Sequence, residues 1–200
     1  GFDTILAAAD LGYRGQPFNW VTMPDQFTFA AMDRLIFGAA SDRPRFVQMA
    51  LGTSHAPWVP VPELVDWESI GDGTIFDPMA AAGDPPAVVW RDPDRVRAQY
   101  RQAIDYALRV VFDYAARRAG DPPLMIVLGD HQAAAFVAQD SRPDVPIHVI
   151  GPEALVRRVA DLGWSPGLLP EPDVTPIRMD RMRDLILETF SGQPDGEGGS

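Results

Sequence analysis

Three histidines are present in the 200-residue chain, and each stands in a setting that assigns it a different chemistry. His131 follows Asp130 in Leu128-Gly129-Asp130-His131, directly after an apolar run that has the pattern of a strand. A carboxylate oxygen and an imidazole nitrogen side by side form a hard-to-borderline pair suited to zinc or manganese. In open α/β sheets ligands collect beyond the carboxyl ends of strands, which is where such a pair would lie. The plainer alternative is an Asp that caps the next segment beside an ordinary loop histidine. His55 lies in Gly52-Thr53-Ser54-His55-Ala56-Pro57-Trp58, after a second apolar run, where an imidazole could bind an oxyanion or donate a proton; the alternative is a histidine hydrogen-bonded within its own Pro-rich loop. His148 sits inside Val145–Ile150, a strand-like run, and reads as a structural histidine. Gly52-Thr53-Ser54-His55-Ala56 approaches the G-x-S-x-G nucleophile elbow, but that elbow requires an immediate helix, which Pro57, Pro60 and Pro62 forbid. Asp25 could touch the same site, and helix capping is the simpler account of it.

Composition removes several function classes. The chain carries 28 acidic and 17 basic residues, a formal charge of -11, and every basic residue is arginine. Dispersed arginines on an acidic background argue against a nucleic-acid surface. With no cysteine there is no disulfide, thiolate metal site or thiol nucleophile. No apolar run reaches the roughly 20 residues that cross a bilayer as a helix. The chain opens at Gly1, so it is expected to be a piece of something longer.

The elements that would position these residues follow from local pattern. Thr22-Met23-Pro24-Asp25 has the form of a capping box with proline in the first turn, and Phe27, Phe29, Ala31, Met32, Leu35 and Ile36 continue it as a helix to Gly38. Phe46–Leu51 reads as a buried strand. Residues 59–91, rich in Pro, Gly and Asp, read as a long irregular insertion. Asp92-Pro93 opens the strongest helix, with Val96, Tyr100, Ile104, Ala107, Leu108, Val111 and Ala115 as its apolar stripe and Gly120 beyond its end. Leu124–Leu128 reads as a central strand covered on both faces, Val145–Ile150 as another strand, Pro152–Leu162 as a helix stopped by Gly163, and Met179–Phe190 as a last amphipathic helix. Residues 192–200 are Gly-rich and read as a disordered tail. The alternation predicts an α/β fold, a layered, mostly parallel sheet with flanking helices.

In succession these pieces resemble the second half of the alkaline phosphatase and sulfatase superfamily, in its membrane-anchored sulfatase-like branch of lipoteichoic-acid synthases and phosphoethanolamine transferases. The resemblance rests on Trp20 and Asp25 before a helix, Thr53-Ser54-His55-Ala56-Pro57-Trp58 after a strand, Gly129-Asp130-His131 after a long helix and an apolar strand, and Asp144-Val145-Pro146 opening the next strand. It implies that residues 1–191 are the C-terminal portion of an alkaline-phosphatase-like domain. It also implies that Asp130 and His131 ligate a divalent metal (Zn, Mn or Ca) and that His55 contacts the phosphate or sulfate group of an ester substrate. The parent would be a hydrolase or phospho-group transferase on the extracytoplasmic face of a bacterial membrane. Two departures stand beside it. Gln132 follows the Asp-His pair where many relatives have Gly or Tyr, and the Thr, Ser or Cys nucleophile of the family's first half has no counterpart here. The chain alone is therefore expected to be inactive, and the competing expectation is a non-catalytic domain kept for binding or assembly.

Overall fold

The computed structural model describes residues 1–38 and 40–191. The Gly-rich tail lies outside them. The chain mixes helices with one small sheet and divides into two compact units, Gly1–Ala116 with Ala134–Gln139, and Arg117–Ala133 with Asp140–Ser200.

The first unit is built on helix α1 (Asp25–Met32), prolonged by a wider π-type turn over Asp33–Phe37. Phe27 and Ala31 point into a core completed by Phe18, Met23, Ile70 and Phe76, with Tyr13, Val65 and Trp67 packed at its margin. Phe29 and Met32 bury the other side of the helix, and Phe29 meets the Tyr114 ring at 4.6 Å. Because both faces are covered, α1 is an interior helix. Residues 59–91 have little regular structure: short 3-10 turns at Trp67–Ser69 and Thr74–Phe76, then the four-residue helices α2 (Asp77–Ala80) and α3 (Pro86–Val89).

Helix α4 (Pro93–Arg117) starts as its sequence dictates, with Asp92 Oδ1 accepting from the amides of Asp94 and Arg95 at 2.9 and 3.4 Å. Its deepest stripe is Val96, Ala103, Tyr106, Val110, Val111 and Tyr114. The predicted stripe is rotated from this: Tyr100, Ile104, Ala107, Leu108 and Ala115 are half-buried. Turning inward the rings of Tyr106 and Tyr114 buries more area than the aliphatic positions would, and the Tyr114 hydroxyl donates to Asp33 Oδ1 at 2.6 Å. Short helix α5 (Ala135–Ala138) completes this unit, its Phe136 carbonyl accepting from Arg97 at 3.1 Å.

The second unit holds strands β1 (Met125–Leu128) and β2 (Ile147–Ile150), paired antiparallel with Val127 opposite His148. Helix α6 (Glu153–Ala160) packs on β2 and on helix α7 (Met182–Phe190). Gly163, at φ +86°, ends the turn after α6 in a conformation that favours glycine.

Two expectations about strands need correction. Among the described residues the sheet is a two-stranded antiparallel pair, and Phe46–Leu51 pairs with nothing as a strand. Phe46 is 81% exposed, so that run is not a buried strand. An apolar run marks burial potential, whereas a strand exists only where a partner receives its amide and carbonyl groups. Nor is β1 covered on both faces, since its residues are half-buried and Leu128 is exposed.

Candidate functional site

His55 is carried by a turn in the first unit. Its backbone amide donates to the Gly52 carbonyl at 2.9 Å, closing a four-residue reversal. The ring Nδ1 lies 2.7 Å from the Ala56 carbonyl oxygen. A carbonyl only accepts, so Nδ1 donates there and Nε2 is the ring nitrogen left for other contacts. His55 lines a small groove with Phe18, Val21, Pro24, Thr53 and Trp58, and the segment from Val59 to Pro62 closes it. This groove is largely apolar, with the imidazole as its ionisable group.

Trp58 builds the wall beside it. Trp58 is 7% exposed, its Nε1 donates to the Ser54 carbonyl at 2.8 Å, and its ring stacks on Trp90 at 5.6 Å and edges onto Tyr100 at 5.1 Å. Trp90 in turn donates to the Pro57 carbonyl at 3.1 Å. The two indoles therefore brace both ends of the Ser54–Trp58 stretch.

Two polar residues at the start of α1, Asp25 and Gln26, are fully buried, and each ties the helix to a distant segment. Asp25 Oδ1 accepts from the amides of Gly52 and Thr53, each at 2.9 Å, while the Asp25 amide donates to Thr53 Oγ1 at 3.2 Å. Burial pushes the Asp25 carboxyl above the usual carboxylate range, against the lowering pull of its bonds with Thr53 and Gly52. Oδ2 is buried with no hydrogen-bond partner. The capping expectation is thus corrected: Pro24 occupies the position before α1, makes no side-chain cap, and the Asp25 carboxylate reaches a segment 27 residues away. Gln26 does the same on the other side, its Nε2 donating to the Val65 carbonyl at 2.8 Å and its Oε1 accepting from the Val65 amide at 3.1 Å. An amide side chain here replaces the backbone partner that a strand would supply. Gln26 was not singled out from the sequence, where it is one more polar residue in a first helical turn.

Asp130 and His131 lie in the second unit, on the turn after β1. Gly129 before them donates its amide to the Pro146 carbonyl at 3.2 Å. A Cβ on Gly129 would lie 3.3 Å from that of Val145, so the small residue there serves close packing of the two strand ends. Asp130 Oδ1 accepts from the His131 amide at 3.0 Å, and Oδ2 stands 3.7 Å from His131 Nε2. The His131 Nδ1 lies 2.8 Å from the Gln132 carbonyl oxygen, so Nδ1 donates there, which fixes the ring and turns Nε2 toward the Asp130 carboxylate. Both side chains are open to solvent, 91% exposed for Asp130 and 77% for His131. Among the described residues no group of three or more His, Cys, Asp or Glu side chains is gathered to hold a metal. Gln132 donates to the Asp144 carbonyl and thereby ties the turn to the entry of β2.

His148 behaves as a structural residue: its Nε2 donates to the Leu168 carbonyl at 3.0 Å. No described helix is long and apolar enough to cross a membrane. No protein-family model matches the chain, and no curated protein or solved structure matches it.

Proposed function

We propose that this chain is the C-terminal portion of a metal-dependent phosphate- or sulfate-ester hydrolase, or phospho-group transferase, of the alkaline phosphatase and sulfatase superfamily. The observation that carries the reading is the Asp130–His131 pair, where a carbonyl-anchored imidazole places Nε2 3.7 Å from a carboxylate oxygen on an exposed turn. Asp130 and His131 would hold a divalent metal, which in such enzymes offsets charge on the transferring group and activates the nucleophile. His55 would contact the phosphoryl or sulfuryl oxygens. The nucleophile and further metal ligands would come from outside this sequence, and the parent would act on the extracytoplasmic side of a bacterial membrane. In this reading β1 and β2 belong to a larger layered, mostly parallel sheet, which commonly carries an antiparallel edge strand.

The three histidines make the metal test direct, because each gives its own pair of imidazole ¹⁵N resonances. Zinc titrated into the chain should move His131 Nε2 and leave His148 unmoved, and Asp130→Ala should weaken the response by about tenfold or more. An unmoved His131, or an Asp130→Ala variant that responds as strongly, would refute the ligand assignment. In the parent polypeptide Asp130→Ala should abolish cleavage of an aryl phosphate or aryl sulfate.

A second reading, a non-catalytic domain for binding or assembly, is favoured by the large apolar side chains that the first unit leaves exposed, Trp20 at 84% and Phe46 at 81%. A parent that binds metal yet turns over no ester would support it.

A further inference from the structure

We propose that Asp25 is a positioning residue for His55: its buried carboxylate fixes the Gly52–His55 turn and so sets the direction in which the imidazole enters the groove. The inference rests on the His55 role given above and adds the group that makes that role possible.

Trp58 Nε1 holds the Ser54 carbonyl on the outgoing side of the turn, and the incoming side has no side chain of its own to hold it. Gly52 has no side chain, and Ser54 and His55 are exposed. What pins the segment is one oxygen accepting two successive amides, Gly52 and Thr53, with Thr53 Oγ1 returning the contact to the Asp25 amide. Thr53 is 5% exposed, so its side chain is locked in the same interior. From there the chain has two residues in which to present an imidazole, and the Nδ1 bond to the Ala56 carbonyl fixes the ring once the backbone is set. Rotation about the Gly52 backbone is the freedom that must be suppressed, because glycine has the widest choice of conformations. A Cβ at Gly52 would stand 3.1 Å from Val21 Cγ1, so the fit against the groove wall is tight there and the holding is done by a side chain elsewhere.

A carboxylate is a costly group for this task. Burying one of its oxygens without a partner sacrifices hydration that nothing returns. What it provides is a single oxygen whose two lone pairs accept from both amides at once, a geometry that a carboxyl or a carboxamide can supply and an aliphatic side chain cannot. A group that costs stability where it sits, yet organises the backbone two residues from a groove imidazole, is one retained for geometry.

The test separates this inference from the ester reading. Asp25→Ala, Asp25→Asn and Thr53→Val are compared with the unmodified chain by amide hydrogen exchange at Gly52 and Thr53, by the His55 Nδ1–H resonance, and by inorganic phosphate titration read at the His55 ring. Asp25→Ala should speed exchange at both amides by about tenfold or more, the equivalent of one lost hydrogen bond. It should also broaden the Nδ1–H signal and weaken the phosphate response. Asp25→Asn keeps a carbonyl acceptor and should restore all three readouts to within about threefold. Should Asp25→Ala not fold, Thr53→Val, which removes the Oγ1 acceptor while keeping the volume, should shift exchange and the Nδ1–H signal in the same direction by a smaller factor. The inference is overturned if a folded Asp25→Ala matches the unmodified chain, if Asp25→Asn loses as much as Asp25→Ala, or if Thr53→Val changes nothing. If phosphate fails to move His55 in the unmodified chain, the ester role of His55 falls, while exchange and the Nδ1–H signal still decide whether Asp25 positions the ring.

Discussion

Replacing Gln26 by methionine isolates what the buried amide does for the segment around Val65. The side chains are close in volume, so the packing around α1 is kept while both hydrogen bonds to Val65, at 2.8 and 3.1 Å, are removed. Each bond is worth roughly 1 kcal/mol, and because Val65 is half-buried its amide and carbonyl regain only part of their hydration. The expected loss is therefore about 2–3 kcal/mol, or about 5–10 °C in Tm for a chain of this size. Urea and thermal unfolding followed by far-UV circular dichroism give the number, and hydrogen exchange at the Val65 amide localises it. Gln26→Glu supplies the internal control. A neutral glutamic acid can still donate to the Val65 carbonyl and accept from its amide, whereas the carboxylate cannot donate. Burial raises the folded-state pKa above the ordinary value near 4.3, so the stability of this variant should be fullest below about pH 4 and lost as pH rises through the folded-state value. A Gln26→Met shift under about 2 °C, or a Gln26→Glu variant with the pH profile of the unmodified chain, would refute the view that this amide anchors the Val65 segment to α1.

Gly73→Ala should destabilise the first unit by about 2–4 kcal/mol, since φ is +93° and the new methyl would meet the Tyr13 ring at 2.4 Å; a loss under about 1 kcal/mol in urea unfolding would show that the ring yields. Hydrogen bonds from the Arg142 guanidinium and amide hold the Asp140 carboxyl down at about 2. Being depressed, this group contributes stability that is present above its unfolded value near 3.9 and is lost as pH falls through about 2. Arg142→Gln should move the Asp140 titration, followed by carboxyl ¹³C resonances, back toward the ordinary range, and an unmoved curve would show that Arg142 is not the cause.

Local chemistry accounts for much of what the sequence shows directly. The start of α4 is written in Asp92-Pro93, because a carboxylate that caps amides two and three residues on needs no distant partner. The existence of β1, β2, α6 and α7 likewise follows from short apolar runs and the glycines and prolines around them, although each starts one to three residues later than those runs do. The intrinsic chemistry of Asp130-His131 is legible too, since adjacent residues stay adjacent in any fold. What the sequence leaves open is pairing across long separations. Nothing in Phe46–Leu51 reveals that it finds no strand partner among the described residues, and nothing in β1 or β2 announces that they run antiparallel. Asp25 and Gln26 look like ordinary first-turn residues, yet tertiary structure sends one to Gly52 and Thr53 and the other to Val65, 27 to 39 residues on. The physical reason is that a buried polar side chain must find a complementary group wherever the chain delivers one, and the pattern around each residue carries no record of which distant backbone will arrive there.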